Sequence, residues 1–369
     1  MTILATRAGF LVAGLGLSVW APLVPYVRQR IPMDDATFGL LLLSVGLGSL
    51  SCMPLTALLT SRFGIRRALL GAASLLVMAL CGMIFFSQFW LMVLALFCFG
   101  GSMGVLDIVL NVQGLAVESR ANRSLMAGFH GMFSLGTITG ALLVSLLLMA
   151  GLSPVLSPLL AVACMVMLCL WARPGFVERR TRPDPDGFRW PGGFIILIGL
   201  MCFIVYLAEG AILDWSALFL IDFRSMPAAS AGLGYAAFAL MITAGRFAGD
   251  DLTRKLGRAR VIGGGGLLAA AGIGLSLLSQ HWALSLLGYG LCGLGCANVS
   301  PLLMSLLNHQ NRMPPHLAVT TATTIGFAGV LAGPAMMGFV AQYSSLNHAF
   351  AMLAGGLLLV ALASPGFRK

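Results

Sequence analysis

The sequence predicts an all-α membrane protein of twelve transmembrane helices in two pseudo-symmetric six-helix bundles. Three observations carry that expectation. The 369 residues are 59% hydrophobic and only 9% charged, where a soluble domain carries about 25%. Too little charge remains to keep an outer surface in water, so that surface must face hydrocarbon. Apolar runs of the roughly 20 residues that a helix needs to cross a bilayer recur along the chain. Short motifs also recur in its two halves at a near-constant spacing.

The apolar runs lie near residues 3–27, 36–59, 68–86, 90–117, 124–149 and 154–172, then near 194–221, 228–253, 261–279, 282–308, 317–342 and 347–365. The first opens with a short lead and Arg7, as a signal peptide does. It lacks a convincing A-x-A cleavage site and reads as a retained helix. The segment from Arg173 to Gly193 is rich in Arg, Pro and Asp and has little to bury. It is expected to be a cytoplasmic linker between an N-terminal bundle at 1–172 and a C-terminal bundle at 194–369.

An even number of spans puts both termini on one side. With that side inside, the outer connections hold Arg28, Arg30 and Arg224, and the other 19 of the 22 Lys and Arg lie at the inner face. This bias predicts cytoplasmic termini.

The halves look duplicated. Ser61–Arg67 (SRFGIRR) follows the second span, and Arg254–Arg260 (RKLGRAR) follows the eighth, 193 residues later. Gly136-x-x-x-Gly140 and Gly329-x-x-x-Gly333 share that offset, and Trp20 and Trp215 are 195 apart. Internal repeats with a binding site where they meet are typical of secondary transporters.

Other classes fit poorly. The net charge of +10 sits in short loops between apolar runs, so no nucleic-acid partner is expected. The eight cysteines lie inside apolar runs as small hydrophobes, and Cys292 with Cys296 supplies too few ligands for a metal. No cofactor is predicted. Gly288–Gly293 matches G-x-G-x-x-G but lies within a span with no strand before it, and neither a phosphate-binding loop nor a hydrolase signature occurs. Asp107 with His130 is the one pair a membrane enzyme could use, and no nucleophile accompanies it. The sequon Asn122-Arg123-Ser124 falls on the inner side, where it stays idle.

Three acids sit inside spans: Asp107, Glu209 and Asp214. Each costs about 2.5–3.5 kcal/mol at a span centre if unpaired, so each should face water or a partner. In the fourth span Gly100, Gly104, Asp107, Asn111, Gly114 and Glu118 step by four and three, which places them on one helix face. That face reads either as a close-packed seam or as a wet wall. Glu209 is expected to lie deeper than Asp214, which with Trp215 reads as an outer-edge pair. His130 shares a face with Ser134 and Thr137. Asn298 roughly mirrors Asp107, with Pro301 following to free a backbone carbonyl. Trp20 and Tyr26, beside Pro22 and Pro25, read as ring-stacking groups or as interface anchors. The candidate solute and proton pathway is therefore Asp107, Asn111, His130, Glu209, Asp214, Asn298, Trp20 and Tyr26.

Ser61–Arg67 resembles the signature loop of the major facilitator superfamily, Gly-x-x-x-Asp-Arg-x-Gly-x-Arg-Arg. Arg62, Gly64, Arg66 and Arg67 match, while Ala57 and Ser61 replace the glycine and the aspartate. The second copy has Arg254 at the aspartate position, Asp250 and Asp251 one turn earlier, and Lys255, Gly257 and Arg260 in place. DIVLNVQGLAVE, FHGMFSLGTITG and EGAILDWSALFL are similar to the bacterial branch close to fucose-permease-type facilitators. The resemblance implies the major facilitator fold and a gating role for these basic loops. It also implies a monomeric secondary transporter, of symporter type, in contact with membrane lipid. The expected cargo is a small polar solute such as a sugar-like metabolite, with protons as coupling ion. Efflux of amphipathic compounds is the runner-up.

Overall fold

A computed structural model describes residues 1–121, 125–178, 191–307 and 315–367. Among them every regular element is a helix. In chain order these are α1 (Thr2–Arg30), α2 (Asp35–Cys52), α3 (Leu55–Phe63), α4 (Ile65–Phe85), α5 (Phe89–Ala121), α6 (Met126–Met149) and α7 (Leu156–Ala172). Then come α8 (Gly193–Arg224), α9 (Ala228–Ala231), α10 (Leu233–Leu256), α11 (Arg258–Leu278), α12 (Trp282–Cys296), α13 (Val299–Leu306), α14 (Pro315–Tyr343) and α15 (Leu346–Ala363). Twelve spans among the described residues are long and apolar enough to cross a bilayer. They match the twelve apolar runs in number and order, and the chain is a multi-pass membrane protein.

Two runs expected as single helices are broken, each by a proline. Pro54 caps α3 with φ −62° and ψ −29°, and α2 ends two residues before it because a proline has no N–H to donate and crowds the preceding turn. Pro301 crowds the carbonyl four residues earlier, that of Ala297, and the break between α12 and α13 falls at Ala297 and Asn298. Pro22 and Pro25 do not interrupt α1.

The chain forms two compact units. One comprises Met1–Met33, Leu41–Pro185 and Pro227–Leu233; the other comprises Asp34–Leu40, Asp186–Met226 and Gly234–Lys369. In the first, α6 lies along α1, and a Cβ on Gly136 would stand 2.3 Å from the Leu11 carbonyl oxygen. In the second, α14 lies along α8, and a Cβ on Gly329 would stand 2.2 Å from the Phe203 carbonyl oxygen. Small residues let helix backbones approach closely where no water drives association. The same relation recurs at Gly100, whose Cβ would lie 1.8 Å from the Val45 carbonyl oxygen, and at Gly293, 2.4 Å from that of Phe238. Both members of these two pairs are 193 residues apart, the spacing of the sequence repeat.

The start of the expected linker segment is packed. Phe176 and Val177 are buried. Fully buried Gln113 of α5 accepts the Val177 N–H at 3.0 Å and donates to Thr6 Oγ1 of α1 at 3.0 Å. Residues 179–190 and the sequon at 122–124 lie outside the described residues.

Candidate functional site

The polar face of α5 divides by what each residue meets. Gly100 and Gly104 are pressed against α2 and its end, with Val45, Ser49 and Met53 as their neighbours, and Gly114 is pressed against Met126 and Phe129 of α6. Glu118 accepts the backbone N–H groups of Leu125 and Met126 at 2.6 and 2.9 Å, and so holds the start of α6. The two parts of this face therefore differ in what they meet. The glycines make the packed seam, and between them Asp107 is exposed and Asn111 half-buried.

Asp107, Asn111 and His130 form a connected polar chain. The Asn111 amide nitrogen donates to the Asp107 carbonyl oxygen at 2.8 Å and stands 3.4 Å from its carboxylate Oδ1. The Asn111 amide oxygen lies 3.1 Å from His130 Nε2. With its nitrogen turned to Asp107, Asn111 presents its oxygen to His130, an arrangement that suits a ring carrying its proton on Nε2. Phe10 of α1 meets the His130 ring edge-on at 5.1 Å. His130 is exposed, while Ser134 and Thr137 on the same helix are buried, and Thr137 donates back to the Ser134 carbonyl. The face expected to unite the three thus delivers His130 alone to the open side.

The second unit carries its own polar cluster. Glu209 of α8 is half-buried and follows Tyr206 by one helical turn. The Tyr206 hydroxyl accepts from Ser300 Oγ of α13 at 2.9 Å, and its ring lies 5.5 Å from that of Phe327 on α14. Arg246 of α10 is exposed and lies within electrostatic range of the Glu209 carboxyl and of the hydroxyls of Tyr206 and Tyr235. Sequence reasoning passed over Arg246 by grouping it with basic residues at helix ends. Its position ten residues before the last residue of α10 was the available signal.

Several expected pathway residues are placed in packing instead. Asp214 is only 8% exposed and Trp215 is fully buried, with its ring 5.2 Å from Phe38. The reading of this pair as a solvated outer edge fails because α8 continues to Arg224, so position 214 is well inside the helix. Trp20 is buried as well, which removes it as an interface anchor and from any open surface. Tyr26 is half-buried. The Asn298 amide nitrogen donates to the Gly245 carbonyl oxygen at 2.8 Å, so its donor holds the α12–α13 break against α10.

The two basic loops share a backbone turn. Gly64 has φ 85° and ψ 162°, and Gly257 has φ 83° and ψ 153°, a region open essentially to glycine alone. Arg62 packs over the Phe63 ring and Arg67 is exposed. Arg66 donates to the carbonyls of Phe176 and Pro174 at 3.0 and 3.1 Å and pairs with Glu178. In the second loop Arg254 pairs with Asp251 at 2.7 Å, while Lys255 and Arg260 are exposed. The Asp250 side chain lies outside the described residues.

Comparison with known proteins fits this architecture. The sequence profile of the Major Facilitator Superfamily matches residues 8–329. An uncharacterised MFS-type transporter of Yersinia pestis is 43% identical over 361 residues, covering 98% of this chain and 94% of that protein. The crystal structure of a mutant form of the nucleoside transporter NupG superposes with a TM-score of 0.80 at 13% identity over the whole of both chains. That of a D-xylose–proton symporter superposes at 0.77 with 15% identity, covering 98% of this chain and 96% of the other. Twelve apolar helices, a duplicated glycine-turn loop and these matches lead to one assignment: the chain belongs to the Major Facilitator Superfamily and is a membrane transporter, not an enzyme.

Proposed function

We propose that this transporter moves a small polar solute by alternating access, coupled to protons, across the bacterial inner membrane. The observation that carries the reading is the chain Asp107–Asn111–His130, in which an intramembrane acid on an exposed face is linked through an amide to a histidine. Ionisable groups within spans are costly and mark solute or proton routes. A carboxyl there can take a proton from one side and release it to the other as access alternates. Glu209 with Arg246 forms the second polar station. The fold neighbours include a nucleoside transporter and a sugar–proton symporter, which supports a polar, hydroxyl-rich cargo.

The division into bundles at 1–172 and 194–369, the cytoplasmic termini and monomeric action belong to the same proposal. So does a gating role for Arg62, Gly64, Arg66, Arg67, Asp250, Lys255, Gly257 and Arg260. A proton gradient is the energy source this reading uses.

The test is uptake by purified protein in proteoliposomes, screened against nucleosides, pentoses, polyols and amphipathic dyes with and without an inside-alkaline pH gradient. Gradient-dependent accumulation of a polar solute is expected. Movement of amphipathic dyes alone would contradict the proposal.

A further inference from the structure

The three cationic residues expected on the outer connections break the charge bias of the chain, and two of them are committed to the main chain. Arg30 is the last residue of α1, and its two terminal nitrogens donate to the carbonyl oxygens of Met83 and Ile84 in the last turn of α4. Arg224 is the last residue of α8, and its Nη2 donates to the carbonyl oxygens of Ser276 and Leu277, in the last turn of α11, at 2.7 and 3.0 Å. Met83 and Ser276 are 193 residues apart, as are Ile84 and Leu277, and the two arginines are 194 apart. The repeat has therefore kept the same cation on the same pair of carbonyls in both units.

We infer that Arg30 and Arg224 are a matched pair of clamps, each locking the end of the first span of its six-span half onto the main chain that ends the third span. The chemistry suits the place. The last carbonyls of a helix have no partner within it and carry the negative end of its dipole. The planar guanidinium of Arg30 gives one terminal nitrogen to each carbonyl, a reach that a single ammonium lacks, while Arg224 spans its pair from Nη2 and turns Nη1 to the Phe223 carbonyl. Arg224 is only 7% exposed, and its guanidinium carbon lies 4.7 Å over the Phe219 ring, which fixes the fork from its other side. Main-chain carbonyls bind no proton in the physiological range, so the clamp holds whatever the pH on either side. A carboxylate partner would release on protonation; this joint does not. The clamps hold α1 to α4 and α8 to α11 as fixed pairs, and the outer face carries less free positive charge than a residue count implies.

Hydrogen exchange of the purified protein in lipid nanodiscs tests this without any transport assay. The reporters are the amides that close the two helices, Phe86 N–H on the Gly82 carbonyl and Ser279 N–H on the Leu275 carbonyl. Arg30→Gln should raise exchange around Phe86 about tenfold and leave Ser279 unchanged, and Arg224→Gln should do the converse. Arg30→Lys, which keeps the charge but loses the fork, should restore protection only in part, and Arg224→Lys, whose ammonium can replace the one donating nitrogen, should restore more of it. They also serve as the reading if a glutamine variant fails to accumulate. Full protection in Arg30→Lys, no change in the glutamine variants, or an equal rise at both reporters would each overturn the clamp.

Discussion

His130 Nε2 stands 3.1 Å from the amide oxygen of Asn111, whose nitrogen is turned to Asp107. One amide therefore sets the orientation of both ionisable groups. Asn111→Leu removes the donor and the acceptor together at a half-buried position, where the net stability effect is about 1 kcal/mol. The expected outcome is a protein that purifies as a normal monodisperse peak and has lost most solute uptake. Uptake close to that of the parent would show that the amide orients nothing of consequence.

The glycines separate the cost of a steric clash from that of a backbone conformation. Gly100→Ala and Gly293→Ala each put a methyl into a facing carbonyl, at 1.8 and 2.4 Å. They should destabilise by about 1–3 kcal/mol, the usual cost of overpacking, read as thermal inactivation in detergent. A Cβ on Gly257 would meet nothing within 4 Å, yet φ is 83°, so Gly257→Ala should cost about 1–3 kcal/mol from backbone strain alone. Gly257→Asn should not rescue it, because ψ 153° lies outside the left-handed helical region that asparagine tolerates. Gly264→Ala, in the interior of α11 with nothing within 4 Å, is the control and should be neutral or stabilise by up to about 1 kcal/mol.

Arg66 should matter more than its ionic partner. Glu178 is largely exposed, and exposed pairs are worth about 0–1 kcal/mol, so Glu178→Gln should change little. Arg66→Gln also loses the donations to Phe176 and Pro174. It should speed proteolytic nicking of the segment after α7, and that difference should persist in high salt.

What could be read from the sequence follows from what hydropathy reports. The twelve spans and the 193-residue repeat were legible because bilayer thickness fixes run length and because Gly64 and Gly257 answer to one backbone requirement. Which way a side chain faces was not legible. Asp214 and Trp20 were expected near water or solute and are buried, since a run of apolar neighbours looks the same from either side of a helix. Asp107 and Asn111 could be grouped in advance because their spacing shares a face with the glycines of α5. Arg246 was missed because Glu209 is 37 positions away in sequence and only folding brings their charges to bear on one another. The chain breaks at Met53 and Ala297 were foreshadowed by Pro54 and Pro301, whose effect the span lengths concealed.

Glu209 and Arg246 should behave as a unit. Removing one charge leaves the other unbalanced within a span, so Glu209→Gln and Arg246→Gln should each impair solute exchange. The double variant should recover part of the loss, with a coupling of about 0.5–3 kcal/mol. Strictly additive losses in a double-mutant cycle of exchange rates would separate the two residues.

The central claim is that Asp107 carries the proton that drives the solute. It is tested most directly by comparing two rates in proteoliposomes containing the Asp107→Asn protein: accumulation driven by an imposed pH gradient, and solute-for-solute exchange with no gradient. The account predicts that accumulation is abolished while exchange continues near the parent rate. Accumulation at the parent level in that variant would contradict it.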